Sequence, residues 1–145
     1  MKIIIRQDDS AAETEITVVC RHMDAQIEEI LAAIRLADNT VTGRRGEETC
    51  FIPLKEILYF ESVENKVFFC TDGETCEMSA KLYQLEEKLQ NSRFARISKS
   101  VIANLNKVRS IRPEKNSRLN ATLVNGERLV VSRQYITEIK NKLGV

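Results

Sequence analysis

Four short polar clusters carry the residue types that could do chemistry in this chain: Asn65-Lys66, Arg96–Ser100, Lys115–Arg118 and Ser132–Gln134. Arg, Lys, Ser, Asn and backbone N–H groups are the donors that meet phosphate oxygens. Arg or Lys to guanine, and Asn or Gln to adenine, are the pairings that read base edges. The candidate contacts are therefore Asn65, Lys66, Arg96, Ser98, Lys99, Ser100, Asn116, Arg118, Arg133 and Gln134. Each of these alone could be an ordinary surface side chain. Their setting is one-sided, because residues 93–133 hold ten basic side chains and only two acidic ones, Glu114 and Glu127. Asymmetry of this size points to a surface that faces a polyanion. A solvated basic face fits the same composition, balanced in space by residues 1–49 with their six basic and ten acidic side chains.

Other chemistry is poorly provided for. His22 is the sole histidine and has no serine or cysteine motif beside it, so it reads as a surface or cap residue. Cys20, Cys50, Cys70 and Cys76 form no CxxC pair, whereas zinc needs ligands at tight, paired spacings. Cys70 and Cys76 flank a turn and could face each other, as reduced packing residues. The glycines form no phosphate loop, and Arg44-Arg45 reads as part of a solvated turn. Glu61 and Glu64 read as exposed groups on a strand and its turn. No enzymatic activity, metal or cofactor is expected. Residues 1–44 are too few for a doubly wound receiver domain, so Asp8-Asp9 is not read as a phosphorylation pocket.

These clusters need elements to hold them out, and the chain of 145 residues, 43% hydrophobic and 30% charged, is long enough to bury a core. No apolar run approaches the roughly 18 residues that span a bilayer, and the start lacks a secretory pattern, so a soluble cytoplasmic protein is expected. "KIIIRQ" and "TEITVVC" predict one or two short strands within residues 1–21. "DAQIEEILAAIRLAD" predicts a helix with Asp24 as N-cap and an apolar stripe of Ile27, Ile30, Leu31 and Ile34. That stripe has two uses: packing on the chain's own β core, or contact with a second copy. "TVTGRRGEETCFI" predicts a hairpin around Gly43–Gly46.

Strands and turns then follow through Met78, with Asp72-Gly73 as a hairpin signal. "SAKLYQLEEKL" predicts a helix capped by Ser79, its stripe Leu82, Leu85 and Leu89. Residues 96–111 predict one or two strands through the alternation Val101, Ala103, Leu105. "PEKNSR" is a polar loop. Leu119, Ala121, Leu123 and then Leu129, Val131 alternate around an Asn125-Gly126 turn. A last helix begins near Ser132 and turns Ile136, Ile139 and Leu143 inward. The clusters thus fall in or beside turns and strand ends of a mainly β chain with short helices.

The same residues carry a family resemblance. "FESVENKVFF", "FARISKSVIANLNKVRSI" and "LVNGERLVVSRQYITEIKNKL" resemble the signature blocks of the LytTR DNA-binding domain, and the similarity runs over about residues 45 to 143. The resemblance implies an elongated, mostly antiparallel fold whose loops enter successive major grooves, usually at paired repeats, often with bending of the DNA. It puts the first base-reading loop on Asn65 with Lys66 beside it, the second on Lys99 within Ser98–Ser100, and the third on Arg133. Ser98 stands where the family usually has histidine, and Asn65 where some members do. The chain is also similar to stand-alone LytTR regulators, which implies control by a small membrane protein instead of a receiver domain.

The expected protein is an α+β, mainly β, transcriptional regulator. Residues 1–44 form a strand–helix extension for packing or dimerisation, and residues 45–145 form the DNA-binding domain. Its partner is double-stranded DNA, met as a homodimer. The alternative is a non-catalytic protein-interaction or sensory β module with an incidental basic face. A single-stranded nucleic-acid binder would want stacking aromatics, and residues 93–133 offer only Phe94.

Overall fold

A computed structural model describes residues 1–145, apart from the side chains of Arg35, Leu36 and Asp38. Helix α1 spans Ala25–Asp38. Asp24 starts it: its Oδ1 accepts the Ile27 N–H at 2.9 Å and its carbonyl accepts the Glu28 N–H at 3.0 Å. These bonds satisfy donors that a helix start otherwise leaves free. Ile27, Ile30, Leu31 and Ile34 are half-buried and lie outside both clusters of fully buried side chains. The contacts of α1 run to a one-turn 3-10 helix at Leu54–Glu56.

The strands expected within residues 1–21 do not form; this stretch holds turns and bends but no strand or helix, and it is exposed throughout. Ile3, Ile4 and Ile5 are 79%, 76% and 86% exposed, and Val19 is 93% exposed. Apolar alternation makes a strand only where a neighbouring strand supplies the ladder and a face to bury, and these runs meet neither. The N-terminal extension is thus a helix preceded by an exposed segment that joins neither sheet.

Among the described residues, ten strands make two antiparallel sheets. They are β1 (Thr40–Arg45), β2 (Glu48–Pro53), β3 (Tyr59–Val63), β4 (Lys66–Cys70), β5 (Thr75–Met78), β6 (Phe94–Arg96), β7 (Val101–Asn104), β8 (Val108–Pro113), β9 (Leu119–Leu123) and β10 (Arg128–Val131). The larger sheet has the order β2-β1-β5-β4-β3-β7-β6, and the smaller has β10-β9-β8. The larger sheet begins at Thr40, ahead of residue 45, because β1 pairs with both β2 and β5. Helix α2 (Leu82–Lys88) follows β5, and α3 (Ile136–Leu143) closes the chain.

One core gathers Phe60, Phe69, Cys76, Leu82, Leu85 and Phe94 between the larger sheet and α2. The second gathers Ile97, Ala103, Leu105, Leu119, Val131 and Ile139 between the two sheets and α3. Strand β7 therefore has no wet face. Ile102 feeds the first core and Ala103 the second, while buried Asn104 donates Nδ2–H to the Ile57 carbonyl at 2.9 Å and accepts the Asn106 N–H at 3.0 Å. The basic residues nearest to it, Arg96, Lys99 and Lys107, stand before and after the strand.

Three local expectations shift. Gly43 sits inside β1, opposite Cys50, and the turn is at Gly46 with φ +63. A Cβ on Gly43 would lie 2.3 Å from Cε1 of the buried Phe69 ring, so a close approach between strand and ring requires glycine here. Helix α2 starts after Lys81, not Ser79; the Lys81 N–H donates to Oε1 of Gln84 at 3.0 Å. Cys70 and Cys76 do not face each other: Cys70 stands opposite Thr75, and Cys76 opposite Phe69. All four cysteines are free thiols.

Candidate nucleic-acid interface

Strand register decides which loops share an end of the molecule. Val63 pairs with Lys66, so the β3–β4 connection is a two-residue turn of Glu64 and Asn65, with φ of 50° and 66°. Two consecutive left-handed residues match the right-handed twist of a hairpin, and asparagine tolerates that conformation. The turn presents Asn65 and Lys66 to solvent. Lys66 Nζ lies 3.9 Å from Glu77 Oε1 in a solvated pair, which holds it weakly.

Glu61 pairs with Val101 and Ile102 with Arg96, so the loop 97–100 lies at the same end as Asn65. The Ile97 side chain is buried and anchors the loop. Its N–H donates to the Val101 carbonyl at 3.0 Å, and the Ser100 N–H donates to Ser98 Oγ at 3.2 Å. Ser98 and Ser100 are half-buried, and Lys99 between them is exposed.

In the smaller sheet Leu119 pairs with Pro113 on one side and Val131 on the other. The β8–β9 loop therefore shares an end with the segment that leaves β10. Asn116 and Ser117 take φ of 68° and 61° in that loop, and the Glu114 N–H donates to the Arg118 carbonyl at 2.8 Å to close it. Asn116 and Arg118 are exposed, as are Arg133 and Gln134 just past buried Val131. A 3-10 turn at Arg133–Tyr135, closed by the Tyr135 N–H on the Ser132 carbonyl at 3.0 Å, leads into α3. Ser132 makes no side-chain cap bond there.

Two backbone bonds tie the middle loop to the end of β3 before the Asn65 turn and to the segment before Arg133. The Ile97 carbonyl accepts the Ser132 N–H at 2.8 Å, and the Ser100 carbonyl accepts the Ser62 N–H at 2.8 Å. The middle loop is thus a hub between the Asn65 turn and the Arg133 segment. Exposed ammonium, guanidinium and amide groups on such a frame suit phosphate oxygens and base edges.

Two basic residues of the 93–133 stretch turn inward. Arg93 donates Nε–H to Asn106 Oδ1 at 2.9 Å and Nη1–H to the Lys142 carbonyl at 2.6 Å, at the C-terminal end of α3. Arg96 donates to the Ser98 and Lys99 carbonyls and pairs with Glu86. Sequence reasoning missed Glu86 altogether, since nothing in its place on the outer face of a helix points to the strand after it. It also passed over Arg112 and Arg128, which stand exposed opposite Asn120 and Thr122 on the smaller sheet. The strand alternation could have placed them on the solvent face.

Residues 47–144 match the model of the LytTr DNA-binding domain. The chain belongs to this family. Over 102 residues it is 33% identical to the sensory transduction protein LytT of Enterococcus faecalis, a match that covers 70% of this chain and 42% of that protein. The chain thus spans about two fifths of the length of this LytT relative. An uncharacterized HTH-type transcriptional regulator of Staphylococcus aureus is 25% identical over 147 residues, covering 100% of this chain and 99% of that one. A solved LytTr DNA-binding domain from Bacillus cereus superposes with a TM-score of 0.69 at 26% identity, covering 74% of this chain and 99% of the other. The mostly antiparallel architecture with short helices is that of the LytTr domain. The family match starts inside the β1–β2 hairpin, so α1 and β1 precede it. Among the described residues, no helix is long and apolar enough to cross a membrane.

Proposed function

We propose that this LytTr-family chain is a sequence-specific transcriptional regulator, without enzymatic activity, that binds double-stranded DNA in the cytoplasm as a homodimer on repeated half-sites. The observation that carries this reading is the hub: backbone bonds from Ile97 and Ser100 gather the loops that expose Asn65, Lys99 and Arg133. In this reading those three side chains meet base edges in the major groove. Lys66, Ser98, Ser100, Asn116, Arg118 and Gln134 meet phosphates beside them. A groove about 12 Å wide admits such loops, and the distinct donor–acceptor pattern of each base pair lies there.

The dimer follows from interface size. One module of this kind buries on the order of 600–1,000 Å², which is modest for a specific site. The half-buried stripe of Ile27, Ile30, Leu31 and Ile34 supports self-association through the N-terminal part, residues 1–44. Control by a small membrane protein is supported by the likeness to stand-alone regulators, and co-purification from membranes tests it.

Selection of bound duplexes from a random pool tests the main reading. The expected result is an enriched, repeated site whose affinity falls with salt at a log–log slope of about −4 to −5 per protomer, for about four to six phosphate contacts on each. A pool that stays random favours a protein-interaction module with an incidental basic face.

A further inference from the structure

Arg96 lies in the middle cluster of DNA-contact candidates, yet its guanidinium is already engaged within the chain. Nε–H donates to the Ser98 carbonyl at 2.7 Å, Nη2–H donates to the Lys99 carbonyl, and Nη1–H meets Glu86 Oε2 at 2.9 Å. Its side chain is 17% exposed, against 49% for Glu86. We infer that Arg96 is the positioning residue of the 98–100 loop, set by Glu86 from helix α2, and not itself a DNA contact. This inference rests on the reading of that loop as a DNA-reading element.

The chemistry favours arginine for this task. A guanidinium offers five N–H donors in a rigid plane, so one side chain can grip two successive carbonyls and a carboxylate at fixed angles. Drawing the Ser98 and Lys99 carbonyls inward has two effects. It sets a positive charge on the negative ends of two peptide dipoles that would otherwise repel phosphates. It also fixes the peptide on either side of Lys99, whose side chain is exposed. Glu86 supplies the third acceptor from an element anchored in the first core by Leu82 and Leu85. The loop is therefore referenced to α2 as well as to the strands that flank it.

A direct contact and a positioning role predict opposite outcomes at Glu86. If Arg96 touched DNA, removing the competing carboxylate would free it and raise affinity. If Arg96 positions the loop, Glu86→Gln loosens the grip and erodes discrimination. The experiment measures full-length chain binding to the selected operator and to random duplex, for wild type, Glu86→Gln, Arg96→Lys and Arg96→Gln. The expected result in Glu86→Gln and Arg96→Lys is a fall of about tenfold in the ratio of specific to random binding, as for loss of one charge-assisted hydrogen bond. The salt slope stays at the wild-type value even in Arg96→Gln, because no phosphate partner is lost.

An unchanged ratio in Glu86→Gln and Arg96→Lys overturns the inference. So does a slope that falls by about one in Arg96→Gln, the mark of a lost phosphate contact. Glu86→Gln keeps both carbonyl bonds available to Arg96, so it remains informative if an Arg96 variant fails to fold. Amide hydrogen exchange without DNA keeps the inference separable from the functional reading. Faster exchange confined to Ser98–Val101 in Glu86→Gln and Arg96→Lys supports the clamp even if wild type selects no operator, and unchanged exchange there overturns it.

Discussion

The backbone N–H of Ser132 donates to the carbonyl of Ile97 at 2.8 Å, joining the segment before Arg133 to the loop that carries Lys99. The two residues lie in different sheets' strand ends, so the bond sets the spacing of two exposed cations. Ser132 has φ −69 and ψ 150, which proline accepts. Ser132→Pro removes this donor and puts the ring Cδ where the N–H met the Ile97 carbonyl, so the two segments must part. The lost bond and the crowding together cost more than about 1 kcal/mol of stability, beyond what the stiffer unfolded chain returns. We expect a lower urea midpoint together with weakened specific DNA binding. Full retention of operator affinity would show that the bond does not set the spacing.

Arg133→Ala and Lys99→Ala should each weaken specific binding by about 1–3 kcal/mol and leave the circular dichroism spectrum and melting temperature unchanged. Both side chains are exposed, so truncation opens no cavity. Fluorescence anisotropy with the selected operator at two salt concentrations measures this. Wild-type affinity in both variants at both salts removes them from the interface.

Asn65 separates conformation from chemistry, because its φ is 66° and its side chain is exposed. Asn65→Gly keeps the turn and loses only the amide, so stability should hold while operator discrimination falls. Asn65→Val places a β-branched residue in the left-handed region, at a cost of about 1–2 kcal/mol. Thermal melts of the two variants, run beside binding titrations, check both halves.

At Gly43 the obstacle is space, since an added Cβ would lie 2.3 Å and 2.5 Å from two carbons of the Phe69 ring. Phe69 is fully buried and cannot swing into solvent. Gly43→Ala should cost about 1–3 kcal/mol through overpacking, read as a lower urea midpoint with an unchanged slope. Gly46→Ala meets no atom within 4 Å but has φ +63, so its smaller loss has a conformational origin.

Alkaline pH should destabilise the fold. Burial pushes the Cys76 thiol from 9.0 up to about 11, with Cys50 adding to the shift. Burial first, then hydrogen bonding with Cys70 and Glu127, also raises the Tyr59 hydroxyl above its ordinary value. For both groups the unfolded chain gives up its proton at lower pH than the folded one. Their stabilising effect is complete below the unfolded values and is lost as pH rises through the folded ones. Urea midpoints should fall across the window from about pH 9 to about pH 11, and a level profile there contradicts the assignment.

Much of this architecture was legible one element at a time. Asp24 announced the start of α1, Leu119, Ala121 and Leu123 announced a strand with one buried face, and Ile139 announced the inner side of α3. Each depends on spacing or capping over a few residues, which local sequence encodes directly. The N-terminal runs show where that reasoning stops. "KIIIRQ" and "TEITVVC" alternate well enough for strands, but pairing is a property of two segments, and these have no partner among the described residues.

By itself the sequence determined the repertoire: a mainly β chain of the LytTr family, short helices, and polar clusters in or beside turns. Only the tertiary structure decided which members of a cluster face outward. Arg96 and Lys99 stand in the same basic stretch, yet one grips two carbonyls and Glu86 while the other projects into solvent. The reason is that Glu86, Ser62 and Ser132 arrive at this loop from separate parts of the chain. Long-range register brings them within hydrogen-bond distance, and no periodicity within Arg96–Ser100 records it.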